Sequence, residues 1–144
     1  MSEIEIVLRL LAACLFGGVI GYIRERGGKA AGLRTHILVC LGSALFTVVS
    51  IYMATTFKGV DASRIASTVV TGIGFIGAGA IIQEGGAVRG ITTAASIWAV
   101  SAIGLAVGCG MYITATASTL IALIVLQALS MVERKYIRTE RSGR

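Results

Sequence analysis

Five long apolar stretches separated by short polar islands run through the chain, at about Ile6 to Ile23, Thr35 to Phe57, Ile65 to Gln83, Thr92 to Gly108 and Met111 to Val132. A helix needs roughly 17 to 25 predominantly apolar residues to cross a bilayer, because every backbone polar group must be satisfied within the segment. Each stretch meets that length. The pattern therefore predicts an all-α fold, a polytopic membrane bundle of about five transmembrane helices. Only Cys109 and Gly110 separate the last two stretches, and an unbroken run from Thr92 to Val132 would be 41 residues, too long for one crossing. The Gly108-Cys109-Gly110 cluster is thus expected to break the helix. Residues 1–132 form the predicted transmembrane domain and residues 133–144 a short basic cytoplasmic tail.

Composition supports a membrane class over a soluble one: 56% of residues are hydrophobic, 14% are charged and proline is absent. The first apolar run lacks a basic flank before it and a small-x-small cleavage site after it, so it reads as a mature helix and not a signal peptide. Charge sets the orientation, since loops kept in the cytoplasm carry the excess of Lys and Arg. With five spans, the first inner loop (Arg24, Arg26, Lys29, Arg34), the third loop (Arg89) and the tail (Arg134, Lys135, Arg138, Arg141, Arg144) place ten basic residues on one side. The other side holds Lys58, Arg64 and Arg9, the last expected to snorkel outward from helix 1. This predicts an N-out, C-in protein. The net charge of +6 is then a retention signal with some attraction for anionic membrane lipid, and nucleic acid is not an expected partner.

Sliding the chain against itself by 58 residues brings Gly21 onto Gly79, Ile23 onto Ile81, Gly27-Gly28 onto Gly85-Gly86, Gly32 onto Gly90, Thr35 onto Thr93 and Ser43-Ala44 onto Ser101-Ala102. Eight of the 25 positions from Gly21 to Leu45 are identical in this register, more than a Gly- and Ala-rich chain supplies by coincidence. Helices 1 and 2 would then repeat as helices 3 and 4, both pairs in the same sense, with helix 5 unmatched. Thr35 and Thr93 are natural N-caps for helices 2 and 4.

Gly72-Ile73-Gly74-Phe75-Ile76-Gly77 matches a dinucleotide fingerprint by letter, but that motif works only between a strand and a soluble helix. Here it predicts packing. Gly72 and Gly79 share one face of helix 3, and Gly74 and Gly77 the opposite face, so helix 3 is expected to be the central helix, packed on both sides. Gly17-x-x-x-Gly21 on helix 1 and Ala95 and Ala99 on helix 4 are further packing or oligomer faces. Trp98, mid-span, is expected inside the bundle, and His36 is read as an interfacial hydrogen-bonding residue. Asp61 is expected to cap helix 3 or to lock onto Arg64. Glu84 closes helix 3 on the inner side. No acid lies near mid-membrane, which argues against a pump built on buried carboxylates. Cys14, Cys40 and Cys109 lack metal-type spacing, the metal question stays open, and no cofactor or enzymatic activity is expected.

Several ordered motifs together resemble the MgtC/SapB membrane family. They are Gly21-Tyr22-Ile23-Arg24-Glu25-Arg26, Ala31-Gly32-Leu33-Arg34-Thr35-His36, Asp61-Ala62-Ser63-Arg64-Ile65-Ala66, Val69 through Gly79, and Val88 through Trp98. The resemblance implies a bacterial inner-membrane protein, multi-pass, tied to adaptation to low magnesium and in some pathogens to virulence. It also implies a regulator that contacts a membrane complex such as the ATP synthase; the alternative is a small divalent-cation or proton transporter. The matching charged positions are Glu25, Arg26, Arg34, Asp61, Arg64 and Arg89, to which the residue reading adds Glu84. A homo-oligomer, with a dimer as its simplest form, is expected from the small-residue faces. Ala62 and Thr68 depart from the family's expected proline and glutamine. Many members carry a soluble C-terminal domain, and the chain is expected to be a short form without it.

Overall fold

The computed structural model describes residues 1–84 and 87–132. They form an all-α membrane helix bundle of five helices: α1 (Glu3–Arg26), α2 (Leu33–Thr56), α3 (Ser63–Gly79), α4 (Ile91–Gly108) and α5 (Tyr112–Val132). A small antiparallel hairpin, β1 (Ile82–Glu84) and β2 (Ala87–Arg89), joins α3 to α4. By length and apolar composition, α1, α2 and α4 can each cross a membrane. The expected tail, Glu133 to Arg144, lies outside the described residues, as do Gly85-Gly86.

Local chemistry sets the helix ends. Ser2 Oγ accepts from the Glu5 amide at 3.2 Å, and Glu3 and Glu5 place negative charge in the first turn of α1. The glycine cluster after α4 does break the chain. Gly110 adopts φ +79°, its amide bonds to Val107 O at 2.9 Å, and Met111 N–H bonds to Ala106 O at 2.9 Å. That bond pair is a Schellman motif, which satisfies the last carbonyls and turns the chain into α5.

Four expectations about the elements need correction. Helix 3 stops at Gly79 instead of reaching Gln83, because Ile82 to Glu84 pair in register with Arg89, Val88 and Ala87. The two glycines left between the strands are a hairpin signal that outweighs helical continuation. Secondly, α3 is peripheral. It buries only Val69, Ile73 and Gly77, one residue per turn, and among the described residues a Cβ added at Gly72, Gly74 or Gly79 would meet nothing within 4 Å. The centre is the α2–α4 pair, against which α1 packs. Thirdly, Trp98 is 56% exposed, because α4 turns Ile97, Val100, Ser101, Gly104 and Val107 inward and leaves Ala95 and Trp98 outward. Finally, Thr35 and Thr93 do not cap their helices. The caps are Gly32 and Gly90, three residues earlier. Gly90 has φ +89° and a Cβ there would overlap Ala80 O, so only glycine fits.

Candidate functional site: a buried polar seam

Glycine on one helix brings the next helix's backbone close, and that approach organises the interior. A Cβ at Gly17 would lie 2.5 Å from His36 O and 2.8 Å from Cys40 Cβ, and one at Gly21 would lie 2.8 Å from Leu33 Cα. Across the other face of α2, Gly104 presses on Cys40 O, and a Cβ at Gly108 would fall 2.5 Å from Thr47 Cβ. The spacing Gly104-x-x-x-Gly108 is the same small-residue signal as Gly17-x-x-x-Gly21, and sequence reasoning passed over it. Gly77 makes only ordinary contact with Ala94, at 3.6 Å.

The close backbones bury a line of hydroxyl, imidazole and guanidinium groups. His36, near the start of α2, is fully buried against the neighbouring helices. Its Nδ1 lies 2.8 Å from Gly32 O and its Nε2 3.1 Å from Ser96 Oγ. Ser96 Oγ donates to Thr93 O at 2.8 Å, and Arg24 Nη2 donates to Thr93 Oγ1 at 2.5 Å. Deeper along the seam Ser43 Oγ and Ser101 Oγ bond at 2.8 Å, and Thr47 Oγ1 donates to Ser43 O at 2.9 Å. Back-bonding to the previous turn lets a hydroxyl sit in an apolar interior without an orphaned donor.

Two arginines are buried with these groups. Arg24 is 5% exposed, and among the described residues its side chain makes one hydrogen bond, to Thr93, and its buried Nε has no partner. Arg9, expected to snorkel, is instead 9% exposed and folds across the end of α4, donating to Gly108 O at 2.5 Å and pairing with Glu5 at 2.5 Å. A cation on the terminal carbonyl of α4 is favourable, because the helix dipole is negative there. From sequence Arg9 and Arg24 counted only toward topology and not as candidate functional positions, since one basic residue near a span end looks like another until its partners are seen.

The charged positions singled out from sequence do not converge. Glu25 Oε2 accepts from the Leu33 amide at 2.7 Å and so caps the start of α2. Arg26 stands over the Tyr22 ring at 5.7 Å. Arg34, Arg64 and Arg89 are exposed. Asp61 accepts from Ser63 N–H at 2.8 Å and from the Ser63 hydroxyl. These bonds hold its carboxyl below the ordinary carboxylate value, with Arg64 adding a smaller pull. Among the described residues the one ion pair is Arg9–Glu5, so no Asp61–Arg64 lock forms. Ser50 Oγ bonds Ala62 O and ties this outer turn to α2. The side chain of Glu84 lies outside the described residues. Ala95 and Ala99 line a cleft between α4 and α5 with Ser118 and Ala122. No group of three potential metal-ligating side chains occurs among the described residues.

The sequence profile of the MgtC family matches residues 10–135. The chain belongs to the MgtC family. Among its relatives are "Putative magnesium transporter YhiD" of Escherichia coli K12, 46% identical over 85% of this chain and 60% of YhiD, and protein SrpB of Synechococcus elongatus, 41% identical over 88% of this chain and 75% of SrpB. Protein MgtC of Salmonella typhimurium LT2 is 44% identical over 81% of this chain and 49% of MgtC. The chain thus spans about half of MgtC and 60% of YhiD. No solved structure matches it. It is a membrane protein of this family.

Proposed function

We propose that the protein is a multi-pass protein of the bacterial inner membrane that acts in adaptation to low magnesium as a non-enzymatic regulator, through contacts with a membrane complex such as the ATP synthase or with a second copy of itself. The supporting observation is the sign of the buried charge. Among the described residues the buried charged side chains are Arg9 and Arg24, and no buried carboxylate accompanies them in the core. A path for a divalent cation needs several converging oxygen ligands, and two desolvated guanidinium groups repel such an ion. The interior is also filled where a path would run, with glycine against backbone along α1, α2 and α4.

The outer faces suit contact with other helices. Gly72, Gly74 and Gly79 on α3 are open to close approach, as a partner helix would require. Charge asymmetry supports five crossings with the N-terminus outside. A second reading, transport of magnesium or protons, is favoured by the similarity to YhiD, which is described as a "Putative magnesium transporter".

Flux separates the two. Purified protein in liposomes under a magnesium or proton gradient is expected to give no flux above protein-free vesicles, while deletion of the gene is expected to change intracellular ATP at low magnesium. Protein-dependent flux with unchanged ATP would refute regulation in favour of transport.

A further inference from the structure

The two repeated helix pairs treat the starts of their second helices differently. At α2, the carboxylate of Glu25 takes the Leu33 amide at 2.7 Å, so the positive end of the helix dipole meets an acid from within the chain. At α4 the cap is Gly90, no side chain caps the helix, and the residue equivalent to Glu25 in the repeat, Gln83, is drawn into the hairpin. The first turn of α4 receives a cation instead. Arg24, 5% exposed, reaches Thr93 Oγ1 at 2.5 Å, and its Nε is buried without a partner. Positive charge has therefore been brought to the positive end of a helix, and no acid within the described residues bonds to it. A buried guanidinium held by one hydrogen bond is expensive unless an anion or further acceptors complete its shell.

We propose that Arg24, with Thr93 and the free amides of the first turn of α4, binds a phosphate oxyanion at this end of the bundle. A helix N-terminus offers N–H donors and a favourable dipole to such a group, and the guanidinium supplies a fork that matches two of its oxygens. The exposed Arg26, Lys29, Arg34 and Arg89 flank the same end and raise the local concentration of anions. Phosphate exceeds carboxylate as a fit because its larger set of acceptor oxygens can engage the guanidinium fork and the helix amides together. The phosphate can be carried by an anionic lipid headgroup or be free in solution, and the test distinguishes the two.

The full chain is placed in nanodiscs of phosphatidylcholine alone, or with one fifth of the lipid as phosphatidylglycerol, and its thermal unfolding midpoint is followed as inorganic phosphate is added, with chloride at equal ionic strength as the control. Ligand that binds only the folded state raises the midpoint. A rise with phosphate in phosphatidylcholine discs identifies the free ion. A midpoint higher in phosphatidylglycerol than in phosphatidylcholine discs before any phosphate is added, with lipid retained on gentle extraction into the mass spectrometer, identifies the headgroup. In either case Arg24→Gln is expected to abolish the effect and Arg34→Gln, which removes equal charge from an exposed position, to keep it. If Arg24→Gln does not fold, Arg24→Lys decides: it keeps the charge but loses the fork, and apparent affinity should fall by about tenfold. No rise with either probe, or equal rises in wild type, Arg24→Lys and Arg34→Gln, would overturn the assignment.

Discussion

Replacing Gly17 by alanine adds one methyl group at the tightest part of the α1–α2 seam. The new Cβ would stand 2.5 Å from the carbonyl oxygen of His36 and 2.8 Å from Cys40 Cβ. Carbon and carbonyl oxygen rest at about 3.3 Å or more, so the shortfall is roughly 0.8 Å. The oxygen is main chain and cannot turn aside as a flexible side chain would, so α1 must lift from α2. Lifting stretches the approach at Gly21 and the hydrogen bonds of His36 together. Overpacking of this kind costs about 1–3 kcal/mol, while alanine returns up to about 1 kcal/mol of helix propensity. With main chain as the obstacle the cost falls in the upper part of that range, about 2–3 kcal/mol, and the expected net loss is about 1–2 kcal/mol. Gly72→Ala is the internal control, because its Cβ meets nothing within 4 Å and only the propensity gain remains. Reversible unfolding in mixed micelles with increasing sodium dodecyl sulfate, followed by far-ultraviolet circular dichroism, measures both. The packing argument fails if Gly17→Ala is as stable as the wild type, or if Gly72→Ala loses as much in a monomeric preparation.

Asp61→Asn is expected to loosen the start of α3 in a pH-dependent manner. The native carboxyl is held below its ordinary value by Ser63, so the stabilisation is present near neutrality and is lost as pH falls through the lowered native value. The difference between wild type and Asp61→Asn should be constant from neutral to mildly acidic pH and shrink in stronger acid; hydrogen exchange of the Ser63 and Arg64 amides reads it, and a difference that grows in acid would contradict the assignment. For the Ser43–Ser101 pair, a double-mutant cycle to alanine in the same micelle assay should give a coupling of about 0.6 kcal/mol. A coupling of zero would mean the two hydroxyls do not bond to each other.

The bundle was readable because apolar run length reports helices directly: the observed boundaries of α2, α4 and α5 fall within two residues of the expected ones. What failed was the inference from composition to position. Helix 3 has the densest glycine pattern, yet glycine only permits close approach and does not supply a partner. Gly104 and Gly108 have their partners in Cys40, Ser43 and Thr47, whereas Gly72 and Gly74 have none among the described residues. The polar seam was hidden for a related reason. Ser43, Ser96, Ser101 and Thr93 read as mildly polar residues in apolar runs, and only the facing of α2 and α4 turns them into a connected set. Charged residues misled most, since exposure separates Arg34 from Arg24 and no local pattern encodes exposure at the end of a span.

The register of 58 residues that relates the halves reappears as a physical contact. Ser43 and Ser101 are equivalent positions, and their side chains bond to each other. In a pair of elements related by a two-fold axis, equivalent residues meet only where the axis passes, so this bond marks an approximate axis between α2 and α4. The packing obeys it in outline: α1 lies on α2 and also touches α4, while α3 lies on α4 and also touches α2. The halves differ where chemistry has been added. The first pair closes tightly on Gly17 and Gly21 and caps α2 with Glu25, whereas in the second pair the hairpin shortens α3, its glycines are left open, and the start of α4 is left to Arg24. Departure from symmetry thus falls on the end of α4 that carries the unpaired guanidinium and on the face of α3 available to another helix. These are the two places where the proposed ligand and the proposed partner helix require the second half to differ from the first.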